Sequence, residues 1–182
     1  VCGNKWFRHS QSKGGLPVDF VMEFYGKSFP EAVQVLTGEP GKVQPEADPA
    51  PSPAFRLPLR NVTNANILNY LTQERKLSPS LVNFFIAAGD IYEDSAHHNV
   101  VFVGRDADGH PRYASSRGIR EKFRQDAAGA EKAFGLAHRG TDKQLLVFEA
   151  SIDLLSFIEL FPKNWQHHNY LSLGGVSGKA LR

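Results

Sequence analysis

The sequence predicts an α+β fold that ends in an α/β unit, and three features indicate this. Proline-rich residues 39–60 separate two segments with helical periodicity. Asp108-Gly109 lies between two apolar runs and is typical of a hairpin turn. An apolar run at 145–148 precedes a helical pattern and a second strand at 169–173, which is the order of a right-handed βαβ unit. The predicted divisions are residues 1–38, a linker at 39–60, a middle region at 61–141 and the α/β unit at 142–182.

Residues 1–38 are predicted to form a β-hairpin remnant with a glycine turn, followed by two short helices. The second helix begins with a capping box made by Ser28 and Glu31, which satisfies backbone N–H groups at the helix start. A structural zinc site needs four cysteine or histidine ligands, and this segment offers only Cys2 and His9. No zinc is therefore expected.

The middle region is predicted to start with two helices joined by a tight turn. The first covers residues 64–76, and the second runs from Ser78-Pro79 to Gly89, because serine and proline favour helix starts and glycine favours helix ends. The favoured interpretation is a plain helical hairpin, and a DNA-binding helix-turn-helix is the alternative. The residues expected to face inward are Ile67, Leu68, Leu71, Leu81, Val82, Phe85 and Ile86.

A small antiparallel sheet is predicted to follow the helices. Residues 99–104 and 111–115 have strand composition and flank the Asp-Gly turn. Asp106 and Asp108 are therefore interpreted as turn residues and not as metal ligands. Residues 134–137 are predicted to be one more strand of the same sheet.

Five cations lie between positions 112 and 124, against one acid, Glu121. Guanidinium groups bind phosphates in a bidentate manner, and aromatic rings stack on bases. One interpretation is a nucleic-acid interface, and the other is a solvated edge with ordinary ion pairs. The candidate nucleic-acid-binding residues are Arg112, Tyr113, Arg117, Arg120, Lys122 and Arg124, with Phe123 interleaved among them.

The predicted α/β unit places a carboxylate, Glu149, at the carboxyl end of its first strand. That strand, at 145–148, is wholly apolar, which favours a buried parallel strand. Ser151 is expected to cap the following helix, and Asp153 lies in its first turn, where the helix dipole favours an anion. Ligands of open α/β sheets bind outside the carboxyl ends of the strands. Glu149 is thus the candidate site residue, and Asp153 either assists it or only stabilises the helix.

The composition is that of an ordinary globular protein. Of 182 residues, 41% are hydrophobic and 22% are charged, and the net charge of +2 is too small to indicate a nucleic-acid partner by itself. No apolar run is long enough to span a membrane. The single cysteine excludes an internal disulfide and agrees with a cytoplasmic location. Because the chain starts at Val1 and stops at the start of a predicted helix, it is expected to be a fragment of a longer protein.

Three segments together resemble a known family. VFEASIDLLSF at 147–157, followed by LSLGGVSGKAL at 171–181, resembles the opening of a toprim domain, the catalytic fold shared by bacterial primases, topoisomerases and some nucleases. GGLPVDFVMEFYGKSFPEAVQVLTG resembles the helical tail of a primase zinc ribbon, here without the paired cysteines. NYLTQERKLSPSLVNFFIAAGDIYED resembles the middle region of the same proteins. The chain therefore resembles a toprim primase-like protein of mobile elements, with a degenerate zinc ribbon and the first part of the toprim domain.

The resemblance implies a catalytic site. In toprim enzymes the glutamate that ends the first strand acts as general acid/base and helps to hold magnesium, and Glu149 matches it. Asp153 matches a frequent acidic position one helical turn later. The Asp-x-Asp pair that normally completes the metal site comes later in the family, and no acidic residue follows Glu159 here. The implied cofactor is Mg²⁺ or Mn²⁺ in the full-length protein, and residues 1–182 alone are expected to be inactive.

The implied activity is primer synthesis on single-stranded DNA by metal-dependent nucleotidyl transfer, in the replication of a plasmid or conjugative element. Its partners would be single-stranded DNA, nucleotides and a helicase or relaxase, with no membrane. Two alternatives remain open. One is a non-catalytic, nucleic-acid-binding replication accessory protein with a vestigial toprim fold. The other is a toprim nuclease that makes no primer.

Overall fold

A computed structural model describes residues 4–8, 11, 13–38 and 54–175 of the chain. The chain divides into two units, Val1–Pro51 and Ser52–Arg182. The predicted linker falls mostly at residues outside the described ranges. Cys2 and His9, on which the zinc prediction rests, also lie outside them.

The first unit is a hairpin with two short helices. Strand β1 (Trp6–Arg8) pairs antiparallel with β2 (Lys13–Gly15), as predicted, although Gly14 and Gly15 lie in β2 and not in the turn. Helices α1 (Pro17–Tyr25) and α2 (Phe29–Thr37) follow. Each helix ends at a glycine with positive φ, a conformation that glycine adopts without steric cost.

The predicted capping box of α2 is confirmed. The backbone N–H of Ser28 donates to Oε2 of Glu31 at 2.8 Å. This hydrogen bond lowers the pKa of Glu31, because it stabilises the carboxylate form. The start of α2 is therefore fixed by two residues that the sequence identifies.

The second unit begins on the face of a sheet. The side chains of Phe55 and Leu57 pack against a cluster that includes Tyr92, and the Tyr92 hydroxyl donates to the Pro58 carbonyl oxygen at 2.6 Å. Arg60 pairs with Asp94 through an isolated antiparallel bridge. Residues 54–60, predicted to be the end of the linker, thus lie against the sheet, because the side chains of Phe55 and Leu57 pack on it.

Two helical segments follow, as predicted. Helix α3 (Ala65–Asn69) continues into a π-helical turn (Tyr70–Glu74), in which the Arg75 N–H donates to the carbonyl oxygen of Tyr70 at 3.1 Å. Helix α4 (Pro79–Ala87) starts after Ser78. Of the seven residues predicted to face inward, Ile67, Leu71, Leu81, Val82 and Phe85 are buried. Leu68 and Ile86 are partly buried and pack against the same core. The apolar faces pack into the protein core, as in a helical hairpin.

The antiparallel sheet has four strands in the order β3-β4-β5-β6. They are β3 (Ile91–Glu93), β4 (Val100–Arg105), β5 (Pro111–Arg117) and β6 (Arg124–Asp126). The β4–β5 turn is confirmed, since the Asp106 N–H donates to the His110 carbonyl oxygen and Gly109 has a φ of 84°. Strands β3 and β6 were not predicted, because three residues are too few to show the alternation of apolar and polar side chains by which a strand is recognised.

A second sheet contains three described strands in the order β7-β9-β8. They are β7 (Ala137–His138), β8 (Leu145–Phe148) and β9 (Asn169–Ser172), with helix α5 (Ser151–Leu160) and a 3-10 turn (Trp165–His167) between β8 and β9. Strands β8 and β9 are parallel, so the predicted βαβ unit is confirmed. Strand β7 pairs with β9, so the assignment of residues 134–137 to the antiparallel sheet is wrong.

Two further details of this unit differ from prediction. Strand β8 has only β9 as a described neighbour, and the side chains of Leu145 and Val147 are exposed, so the strand is not buried as predicted. Ala150 occupies the N-cap of α5, and Ser151 is its first residue, buried with its Oγ 3.2 Å from Oγ of Ser172. Ser151 therefore links α5 to β9 and does not cap the helix. The N-cap residue Ala150 has no side-chain acceptor, and its backbone carbonyl oxygen accepts the Asp153 N–H.

One large apolar cluster joins the helices and sheets of the second unit. It includes Ile67 and Leu71 from the first helical segment, Phe85 from α4, and Ile152 and Leu155 from α5. Packing of this kind holds the βαβ unit against the antiparallel sheet and positions the residues between them. None of the described helices has the length and apolar character needed to cross a membrane.

Candidate nucleic-acid and metal site beside strand β8

Glu149 directly follows β8 and is exposed. Its backbone carbonyl oxygen accepts the Gly175 N–H at 2.9 Å, and the Phe148 carbonyl oxygen accepts the Leu173 N–H at 2.9 Å. The ends of β8 and β9 are therefore tied together by their main chains. Glu149 therefore lies at the carboxyl ends of the parallel strands β8 and β9, as the sequence predicts.

The glycine turn after β9 brings this edge against the antiparallel sheet. Gly174 has a φ of 63°, and a Cβ atom at this position would overlap the hydroxyl of Tyr113 on β5. Gly175 also has a positive φ, of 121°. A side chain at position 174 would push the two sheets apart, so the turn requires glycine. Residues 176–182 lie outside the described ranges.

A cavity of about 280 Å³ lies between the two sheets beside Glu149. Its walls come from β5, β6, the start of α5 and the glycine turn. Its lining includes Arg117, Arg124, Asp126, Glu149, Gly174 and Gly175. The structure thus brings Glu149 together with two of the predicted nucleic-acid-binding arginines.

Arg117 and Arg124 are direct cross-strand partners on β5 and β6. Like charges in this arrangement repel each other. Nε of Arg117 donates to the Tyr70 hydroxyl at 3.1 Å, and neither arginine forms an ion pair with the rest of the described chain. The pair is therefore a positively charged wall that an anionic ligand would stabilise.

The loop between β5 and β6 extends this positive surface. Arg120 and Lys122 are exposed there and have no ion-pair partner among the described side chains. With Arg117, Arg124 and Phe123 they line a second cavity of about 640 Å³. Four of the six predicted nucleic-acid-binding residues thus lie on one continuous surface.

The other two predicted residues do not belong to this surface. Nε of Arg112 donates to Oδ2 of Asp106 at 2.9 Å, and its Nη1 lies 3.5 Å from Oε1 of Glu131, so its charge is already compensated. Tyr113 is 1% exposed, and its hydroxyl donates to Oδ1 of Asp126 at 2.7 Å. Burial, together with Asp126, raises the pKa of Tyr113. The role of Tyr113 in base stacking is corrected: Phe123, 37% exposed, is the accessible ring.

The carboxylates near the cavity offer a partial metal site. Asp153 is exposed on the first turn of α5 but is not among the residues that line the cavity. Asp126 lines it, but its carboxylate accepts the Tyr113 hydroxyl and pairs with Lys132 at 3.0 Å. Magnesium is commonly held by one or two carboxylates together with substrate phosphates and waters, and Glu149 fits such a role.

A group of three candidate metal ligands is found elsewhere in the described ranges, at Asp106, Asp108 and His110. Asp106 Oδ1 accepts the backbone N–H groups of Asp108 and His110, and its Oδ2 accepts from Arg112. Burial would raise the pKa of Asp106, but these hydrogen bonds outweigh it and lower the pKa. The Asp106 carboxylate is thus engaged in holding the turn, as the sequence analysis predicts.

Asp126, Gln125, Ser115 and Ser116 line the cavity but were not predicted as site residues. They lie near Glu149 only because β6 pairs with β5 and the two sheets pack together. The short run Arg124–Asp126 has no strand pattern, and the position of the cavity depends on contacts between distant parts of the chain. Glu93 and His98, which form a hydrogen-bonded pair, were not predicted as a group either.

Comparison with known proteins gives two matches in sequence. Residues 69–142 match the model of a family described as proteins of unknown function, DUF3991. The chain is 26% identical over 195 residues to an uncharacterised protein of Bacillus anthracis, pXO2-78, in an alignment that covers 98% of this chain and 56% of that protein. The chain therefore spans little more than half the length of this relative. Neither match comes with a described activity.

Three solved structures are similar to parts of the chain. A structure of the bacteriophage T7 lagging-strand DNA polymerase with primase domains of two gp4 subunits gives a TM-score of 0.42 at 20% identity, over 59% of this chain and 47% of that chain. The primase fragment of the T7 primase-helicase protein gives a TM-score of 0.41 at 21% identity, over 67% of this chain and 51% of that chain. The Aquifex aeolicus primase gives a TM-score of 0.36 at 15% identity, over 94% of this chain and 55% of that chain. All three TM-scores lie below 0.5, and none carries a functional conclusion.

Proposed function

We propose that this chain is part of a toprim primase-like protein of a mobile element, which synthesises primers on single-stranded DNA by metal-dependent nucleotidyl transfer. One observation carries the proposal: Glu149 shares a cavity with Arg117 and Arg124, which form no ion pair among the described residues. Nucleotidyl transfer needs a group that accepts the proton of a 3′-hydroxyl and cations that hold phosphates. The resemblance of residues 147–157 to a toprim opening supports the same assignment.

The charged residues Glu149, Arg117 and Arg124 have separate tasks in the proposed reaction. Glu149 accepts the proton from the attacking hydroxyl group, because its exposed carboxylate lies at the cavity wall. Arg117 and Arg124 bind the phosphate oxygens of the template or of the incoming nucleotide. The backbone at Gly175 allows a phosphate to approach closely, since a Cβ at this position would have no atom within 4 Å.

A bound magnesium or manganese ion would stabilise the charge that develops on the pyrophosphate leaving group. Glu149 is the residue proposed to hold it directly. Asp153 is proposed as an outer ligand acting through a water molecule, consistent with the preference of magnesium for retained waters. In this proposal the full-length protein supplies further ligands, and the expected compartment is the cytoplasm, with a helicase or relaxase as partner.

Template-dependent dinucleotide synthesis by the full-length protein, with magnesium or manganese, tests the proposal. Glu149→Gln should abolish synthesis and leave single-strand binding intact, because it removes the proton acceptor but no cation. Glu74→Gln, at an exposed glutamate outside the cavity, is the matched control and should be fully active. Synthesis that survives Glu149→Gln would exclude the proposed role. Residues 1–182 alone are expected to make no primer.

The two alternatives give different results in the same assay. A folded wild-type protein that binds single-stranded DNA and makes no dinucleotide would be an accessory protein with a vestigial site. That outcome is favoured by the position of Asp153 outside the cavity, which leaves Glu149 with little help. Cleavage of DNA without template-dependent synthesis would indicate a nuclease.

A further inference from the structure

A cavity larger than that of Glu149 lies elsewhere in the second unit and does not contain Glu149. Its volume is about 880 Å³, and it lies between three segments, residues 56–59, 94–99 and 116–128. It meets the Glu149 cavity only along the β5–β6 pair, where Ser116, Gln125 and Asp126 line both. A volume of this size is typical of small-molecule sites.

A buried carboxylate orients a histidine toward this cavity. Glu93 is fully buried, and its Oε1 lies 2.6 Å from Nδ1 of His98. A buried carboxylate accepts hydrogen bonds, so Nδ1 carries the proton and Nε2 is the ring nitrogen left for a ligand. His98 lines the cavity and its side chain is 42% exposed.

Glu93 itself is held by several donors. Its carboxylate accepts from Nδ2 of Asn61 at 2.7 Å, from Nδ2 of Asn66 at 2.8 Å and from the backbone N–H groups of Asn66 and Ile67. Burial alone would raise the pKa of Glu93, but these hydrogen bonds and that of His98 together lower it. The carboxylate is therefore a fixed anion against which the imidazole is positioned.

The backbone at His98 is left-handed. Its φ is 57°, in a region that histidine, asparagine and aspartate occupy more often than other residues with a side chain. The Asp94 carboxylate imposes the turn by accepting the N–H groups of Ala96, His97 and Asn99.

Two cations without an ion-pair partner line the cavity. Arg56 and Arg120 are exposed in its wall and form no ion pair with described residues. Three acids also line it: Asp126 pairs with Lys132, Asp94 accepts backbone N–H groups, and Glu121 is exposed next to Arg120 in the chain. The ring of Phe123, 37% exposed, supplies an aromatic surface at the same wall.

We propose that this cavity is a second site, for a nucleoside phosphate, in which His98 and Arg120 hold the phosphate and Phe123 stacks on the base. With Nδ1 of His98 donating to Glu93, the hydrogen bond between Nε2 and a phosphate oxygen needs one proton, which the imidazole or the phosphate carries. Guanidinium groups suit phosphate geometry, and bases stack on aromatic rings. The same chemistry is offered by a free nucleotide and by the phosphorylated end of a DNA strand.

Titration calorimetry of ATP into the 182-residue protein, with EDTA present, tests the site. We expect the affinity to fall about tenfold in His98→Asn and in Arg120→Gln, since each loses a charge-assisted hydrogen bond. Asparagine tolerates the positive φ at position 98, so the variant removes the imidazole and keeps the turn. Inorganic tripolyphosphate, which lacks the base, should bind more weakly than ATP, and Phe123→Ala should remove that difference.

Matched controls separate this site from others. Arg75→Gln and His110→Asn change exposed residues outside the cavity and should bind ATP as the wild type does. Calorimetry measures ATP binding without a template or a metal ion, so failure of the proposed primer synthesis would not affect this result. No binding at millimolar ATP, or binding that none of the His98, Arg120 and Phe123 variants weakens, would overturn the proposal.

A 5′-phosphorylated oligothymidylate added to the ATP complex distinguishes the two sources of the ligand. Displacement of ATP by this oligonucleotide, but not by the same oligonucleotide without its 5′-phosphate, identifies the end of a DNA strand as a ligand of the site. Retention of ATP identifies a free nucleotide. Both results support the proposed nucleoside-phosphate chemistry.

Discussion

Arg117 and Arg124 stand directly opposite each other on β5 and β6, and both line the cavity that contains Glu149. Two guanidinium groups in this register repel each other, and no described carboxylate forms an ion pair with either. This repulsion slightly destabilises the protein without a ligand, and an anionic ligand bound beside the two arginines would relieve it. A polynucleotide phosphate is the ligand that the proposed function supplies.

Replacement of these cations should separate DNA binding from stability. Arg117→Gln combined with Arg120→Gln should weaken binding to single-stranded oligothymidylate and lower the slope of log K against log salt by about 1.4, because two phosphate contacts are lost at roughly 0.7 each. Fluorescence anisotropy across a salt series measures both quantities. Arg112→Gln is the matched control, since its charge is paired with Asp106 and Glu131. An unchanged slope in the double variant would remove this surface from the proposed interface.

Phe123 should provide the stacking ring in place of Tyr113. Phe123→Ala is expected to weaken single-strand binding by about 1–3 kcal/mol if one base stacks on the ring. Tyr113→Phe should leave the affinity unchanged, because that ring is buried. The same anisotropy assay reports both variants. Equal losses from the two substitutions would show that the effect is transmitted through the fold and does not come from stacking.

Gly174→Ala should lower the free energy of unfolding by about 2–4 kcal/mol. A left-handed conformation costs an alanine roughly 1–2 kcal/mol, and overlap with the Tyr113 hydroxyl adds about 1–2 kcal/mol of overpacking. Gly109→Ala is the matched control, because Gly109 also has a positive φ but has no atom within 4 Å of the added Cβ. Urea unfolding of the two variants gives the difference. Similar losses in both would show that the sheets do not meet closely at Gly174.

The stability of the second unit should fall in acid, and Glu93 should be one cause. The pKa of Glu93 is lowered in the folded protein. Its contribution is therefore fully present above the pKa of an unfolded glutamate, roughly 4.3, and is lost as the pH falls through the lower folded pKa. Glu93→Gln should reduce stability at pH 7 by about 2–3 kcal/mol, since several hydrogen bonds lose their charged acceptor.

Urea unfolding of wild type and Glu93→Gln between pH 3 and pH 7 measures this contribution. The two curves should converge as the pH falls. Glu74→Gln, which changes an exposed glutamate, should run parallel to the wild type. Parallel curves for Glu93→Gln as well would show that the Glu93 carboxylate is not the titrating group.

Local sequence determined the cap of α2, the β4–β5 turn and most of the helices and strands, although not the cap of α5. The capping box at Ser28, the Asp-Gly turn before β5 and the strand–helix–strand order around Glu149 depend on residues adjacent in the chain, and each is present in the structure. The sequence also placed Glu149 at the end of a parallel strand, because the hydrophobic pattern changes there from strand to helix.

Tertiary structure alone decided which of these residues meet. Strand β6 exists because it pairs with β5, and that pairing sets Arg124 opposite Arg117 and beside Glu149. Packing between the sheets buried Tyr113, which the local pattern of alternating cations and aromatics marked as accessible. Glu93 and His98 lie five residues apart on a strand and a turn, and only the burial of the carboxylate makes them a pair. Burial and pairing across the sheets are set by contacts between distant parts of the chain, which residue type and spacing do not encode locally.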